Sequence, residues 1–181
     1  MIMDRRSAMK QLAILTGGAV LMPACDFSQE SILQAYQNLK ITTSQKELLT
    51  QIIGTVFPGK VLKSGPDLRL QDFVLVMCND CLDTGQQETF VAGLQQWETF
   101  SKNQFGKKFS QMTATEAEDC LRATLAMAGE GNEKKNATAF ISTTKRFALQ
   151  GYLNSEYFMT EIKPYELVPA RFYGSKKIEN A

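Results

Sequence analysis

The sequence predicts an all-α protein: a single compact domain of about five to six helices, an irregular aromatic-rich C-terminal tail, and a signal-peptide helix ahead of both. Three observations carry this reading. Apolar residues recur at the 3.6-residue spacing of an amphipathic helix in one segment after another. Helix start and stop signals bracket those segments. No stretch alternates apolar and polar residues long enough to make a half-buried strand.

Residues 1–25 read as a signal peptide. Arg5, Arg6 and Lys10 form a basic beginning, and the apolar run from Leu12 to Leu21 is of signal length, too short to span a bilayer with margin. Arg5-Arg6-Ser7-Ala8-Met9-Lys10 resembles the twin-arginine export motif, which serves proteins that fold before they cross the membrane. The alternative is an ordinary amphipathic helix, but the stretch lacks the stripe one would show. Met22-Pro23-Ala24-Cys25 resembles a lipobox, making Cys25 a candidate lipid attachment site. A single acylated cysteine tethers a protein to a membrane surface without spanning it. Residues 26–31 are a polar tether, and 32–181 form the helical domain, one domain's worth of chain.

Within that domain, Ile32, Leu33, Tyr36 and Leu39 share a face, predicting a short helix over roughly 29–40. Ser44 and Glu47 have capping-box spacing ahead of the stripe Leu48, Leu49, Ile52, Ile53 and Val56, which Pro58-Gly59 ends. Residues 60–67 form a loop turned at Gly65-Pro66. The next helix starts near Leu68, with Leu70, Phe73, Val74, Met77 and Cys81 inward and Cys78 at the edge. After a break at Asp83-Thr84-Gly85, a long helix reaches about Gln104, burying Phe90, Val91, Leu94, Trp97 and either Phe100 or Ser101. Gly106 stops it, and Phe109 and Met112 fill the core from the connection. Thr113 and Glu116 form a second capping box, followed by inward Ala117, Cys120, Leu121, Leu125 and Ala128. Gly129 to Asn132 closes that helix. The last spans about 134–150 on Phe140, Ile141, Thr144, Phe147 and Ala148, with Gly151 as its C′ residue.

Composition removes several function classes. The chain has 20 basic and 19 acidic residues; removing residues 1–25 leaves a net charge of −1, with no basic stripe for phosphates, so nucleic acid is not a partner. There is no histidine anywhere, which excludes Ser-His-Asp and Cys-His catalysis, histidine metal sites and covalent c-type haem. Cys78-Asn79-Asp80-Cys81 looks redox-active, but it lies near a helix C-terminus, where the dipole opposes a thiolate. Cys81 and Cys120 either pack as small apolar residues or bond to each other. Phe90, Trp97 and Phe100 at helical spacing are core rather than a pocket. No catalytic, cofactor-binding or metal residue emerges. The tail is different: Tyr152, Tyr165, Arg171, Phe172 and Tyr173 lie in an irregular segment that either folds back or forms an interface, where Tyr and Arg are enriched.

Several segments occur together in a known order: Ile53-Gly54-Thr55-Val56-Phe57-Pro58; Phe73 through Asn79-Asp80-Cys81; Phe90-Val91-Ala92-Gly93-Leu94; Phe105-Gly106 with Phe109; Phe147 through Gly151 to Glu156; and Tyr165 with Pro169-Ala170-Arg171-Phe172-Tyr173-Gly174. In this the chain resembles the gluconate 2-dehydrogenase subunit 3 family, small subunits of membrane-associated FAD-dependent sugar or sugar-acid dehydrogenases. The resemblance implies a non-catalytic chain with no cofactor of its own. It also implies a larger FAD-dependent partner of the glucose-methanol-choline oxidoreductase type, and a cytochrome c subunit that takes the electrons. The expected location is the periplasmic side of the membrane, reached by twin-arginine export and held by a lipid anchor. Two readings from other classes are a free-standing envelope lipoprotein that binds or scaffolds, and a thiol-disulfide enzyme.

Overall fold

The computed structural model describes residues 33–127 and 131–163, together with Tyr165 and Ser175. Five α-helices lie among them: α1 (Thr43–Val56), α2 (Leu70–Cys81), α3 (Thr84–Phe105), α4 (Ala114–Ala126) and α5 (Asn132–Leu153). No strand occurs among the described residues. Helix α5 is the spine. Its longest contact is with α3, and α2 and α4 pack on it from other sides, while α1 closes over α2 and α4.

The predicted 29–40 helix is reduced, within the described residues, to a 3₁₀ turn at Gln34–Tyr36. Lys40 adopts a left-handed backbone (φ +50°) and donates its N–H to the Tyr36 carbonyl at 3.1 Å, which turns the chain before a regular helix can build. Tyr36 and Leu39 still reach the core. The α1 capping box lies two residues earlier than the sequence suggests. Thr42 is extended (φ −92°, ψ 168°) as an N-cap must be, and its hydroxyl accepts the Gln45 N–H while the Gln45 side chain accepts the Thr42 N–H at 3.0 Å. The second box forms as predicted, on Thr113 and Glu116.

On α3, Phe90, Gly93, Leu94, Trp97, Phe100 and Ser101 are buried, so the predicted stripe holds except at Val91, which is half-buried while Gly93 takes the inward place, and it takes both Phe100 and Ser101. Trp97 sits at its centre, with ring centroids 5.6 Å from Phe100, 5.7 Å from Phe109 and 5.8 Å from Phe140. Where α3 crosses α5, Gly93 lets the backbones meet: a Cβ there would press on the Phe140 Cβ and fall 2.6 Å from the Asn136 carbonyl oxygen. Alanine usually stabilises a helix interior relative to glycine by about 0.5–1 kcal/mol. Here the sign reverses. Gly93→Ala is expected to lower stability by about 1–3 kcal/mol through overpacking, read as a lower denaturant midpoint at unchanged m-value.

Three expectations need correction. Gly151 is not a C′ residue, because α5 continues to Leu153; it is buried inside the helix, where a Cβ would stand 2.7 Å from the Phe73 ring. On α4, Thr124 takes the inward place expected of Leu125, donating its hydroxyl to the Cys120 carbonyl at 2.8 Å; Leu125 is half-buried and Ala128 lies outside the described residues. On α2, the buried residues are Leu70, Val74, Leu75 and Cys78, while Cys81 is exposed. That helix is turned by about one position from the expected face. The turn brings Asp72 onto Tyr36 and α1's Lys46.

Asp72 gathers three donors: Lys46 Nζ at 2.5 Å, Arg69 Nη2 at 2.7 Å and the Tyr36 hydroxyl at 3.2 Å. Burial raises its carboxyl, but hydrogen bonds from Lys46 and Arg69 outweigh that and hold the pKa below the ordinary value. A depressed folded pKa contributes stability that is present above the unfolded value of about 3.9 and lost as pH falls through the folded one. Asp72→Asn is therefore expected to lower the urea midpoint at pH 7, with the gap to wild type closing as pH falls through the lowered folded-state pKa.

Candidate functional site

Helix α5 ends beside the loop that follows α1, and the two enclose a strongly apolar concavity. Phe57 donates its N–H to Ile53, and Gly65 donates back to the Phe57 carbonyl at 3.0 Å, closing residues 57–65 into a short loop. Between those anchors Lys60-Val61-Leu62-Lys63 projects outward, with Val61 94% exposed. Leu149 and Leu153, four residues apart on the outer face of α5, stand opposite, and with Leu62 each is a little over two-fifths exposed. The cavity between loop and helix is about 440 Å³.

Its inner wall is Tyr152. The ring stacks on Phe57 (centroids 5.1 Å, planes 6° apart) and meets Tyr157 and Phe158 edge-on. The side chain is 5% exposed, and its hydroxyl is buried without a hydrogen-bond partner. Burial, then the neighbouring Tyr157, raises the phenol pKa. Lys63 fastens the loop to the next turn: its Nζ lies 4.4 Å over the Tyr157 ring and 3.2 Å from Glu161. That turn, Phe158–Ile162, has π-type bonding.

The sequence-predicted site residues divide accordingly. Tyr152 belongs to the core and backs the groove, presenting little surface of its own. Tyr165 is 62% exposed, its N–H bonded to the Met159 carbonyl at 2.8 Å. Arg5, Arg6, Lys10, Cys25, Arg171, Phe172 and Tyr173 lie outside the described residues. Val61, the most exposed apolar residue of the groove, and Leu62 beside it escaped the sequence reading because 60–67 read as a plain loop. The available signal was an apolar pair between lysines, belonging to no helical stripe.

The Cys81–Cys120 pair is not formed. Cys120 is buried, Cys81 faces solvent past the last inward turn of α2, and both are free thiols, as is Cys78. Burial pushes the Cys78 thiol up to about 12 and the Cys120 thiol up to about 11, so neither is a nucleophile at neutral pH. In a Cys25→Ser variant, Cys81 alone is expected to react quickly with a thiol reagent under native conditions, and all of Cys78, Cys81 and Cys120 after denaturation. A native count of zero would mean that Cys81 is bonded.

Among the described residues, no helix is long and apolar enough to cross a membrane, and no group of cysteines and carboxylates has metal-site geometry. A family model described as gluconate 2-dehydrogenase subunit 3 matches residues 43–170. The chain belongs to this family. The subunit 3 match starts at the first residue of α1, takes in all five helices and continues into the tail. The groove thus lies wholly within the subunit 3 region. Comparison with curated proteins and with solved structures returned no match.

Proposed function

We propose that this subunit 3 chain is the non-catalytic small subunit of a dehydrogenase complex whose larger subunit carries FAD. In this reading it accompanies the flavoprotein through export and holds it at the periplasmic face of the membrane. The family match over residues 43–170 is the observation that carries the reading. Two others support it. The chain has no histidine for general-base work, and its two buried thiols have pKa values far above neutrality. The flavin, the substrate site and the hydride chemistry belong to the larger subunit, and a cytochrome c subunit receives the electrons. Arg5 and Arg6 supply the export signal, and Cys25 the lipid anchor.

Co-purification tests this. A C-terminally tagged chain, solubilised from its native membrane with mild detergent, is expected to bring down a larger polypeptide with bound flavin and dye-linked dehydrogenase activity. Recovery of the chain with neither flavin nor activity would contradict the reading.

A further inference from the structure

We infer that the groove between the 57–65 loop and the end of α5 is the seat of an apolar, carboxylate-flanked segment of the larger subunit. This rests on the accessory-subunit reading and adds where, and by what chemistry, the partner is held. Three features point the same way. Val61, Leu62, Leu149 and Leu153 form an exposed apolar rim around a concavity, the shape that receives a protruding side chain. Two cations flank it without an ion pair: Lys60 on the loop, and Lys145 one helical turn before Leu149 on the same face of α5. Lys63, by contrast, is neutralised by Glu161. An apolar centre between unpaired lysines fits an apolar segment bordered by Asp or Glu.

The concavity favours polypeptide over lipid: a recess of about 440 Å³ receives a protruding side chain, which the flat surface of a bilayer does not present. The same face would otherwise suit an anionic bilayer, so the bilayer is the competing occupant in the test.

Tagged full-length chain carrying Val61→Asp or Leu153→Asp is co-purified from native membranes beside wild type. A Val76→Asp control alters an apolar residue on α2 as exposed as Leu153. The flavin recovered per mole of chain is expected to fall at least tenfold for the two groove variants and less than twofold for the control. Thermal melts of each purified chain confirm that it folds. The double reversal Lys60→Glu, Lys145→Glu is expected to reduce flavin recovery several-fold at low salt, with the difference shrinking at high salt. Undiminished flavin with folded groove variants would overturn the inference while leaving the accessory role standing. No flavin with wild type would remove the accessory role itself. If wild type sediments with phosphatidylglycerol vesicles, Val61→Asp abolishes that, and flavin recovery is unchanged, the face is a lipid contact and the inference fails.

Discussion

Trp97→Ala is expected to be the most damaging single truncation in the helical domain. The side chain is completely buried and touches aromatic rings from α3, α5 and the connection at Phe109, so its removal opens a cavity where three segments converge. Truncations of this kind cost about 3–5 kcal/mol. For a chain of this size that is a fall in Tm of roughly 10 °C or more. Trp97→Phe separates packing from polarity. It keeps a ring in the cluster and deletes an indole N–H that is buried without an acceptor, a group whose burial costs about 1–3 kcal/mol. Phenylalanine is therefore expected to lose much less stability than alanine. Because Trp97 is the chain's one tryptophan, circular dichroism must report these melts, while emission reports on the wild-type core. Equal losses for the two variants, or a loss below about 1 kcal/mol for alanine, would mean that the cluster does not hold the domain together.

The fold was legible where one helix face alone decides burial. On α3 the spacing of Phe90, Leu94, Trp97 and Phe100 selects a single face, and Asp83 and Gly106 mark its ends. Legibility failed where a tertiary contact overrode the local pattern. The rotation of α2 follows Asp72 to donors on Tyr36 and Lys46, residues 36 and 26 positions away in the chain, which no periodicity encodes. Gly151 read as a helix end because glycine favours C′. Its structural reason is the Phe73 ring lying against it.

The candidate site was legible only in part. Tyr152 reads as a residue that either folds back on the domain or forms an interface; it is the wall of a groove whose rim is shared between α5 and a loop nearly a hundred residues earlier. Irregular aromatic density in a tail says that something is packed there. It does not say which apolar neighbours stay uncovered. That depends on how the 57–65 loop closes on itself through Gly65 and Phe57, and on where Lys63 fastens it.

The largest functional effect is expected outside the helical domain. In the proposed role, the twin-arginine-like pair Arg5-Arg6 is expected to act in trans, serving a bound partner that has already closed around its flavin. Replacing Arg5 and Arg6 with lysine, in the native host, should strand the larger subunit with the small one. The measurement is flavin-linked dehydrogenase activity in the cytoplasmic fraction against the envelope fraction. The accessory role predicts that at least nine-tenths of the envelope activity disappears and that active, flavin-loaded enzyme accumulates in the cytoplasm. Unchanged envelope activity, with the small subunit alone retained inside the cell, would contradict it.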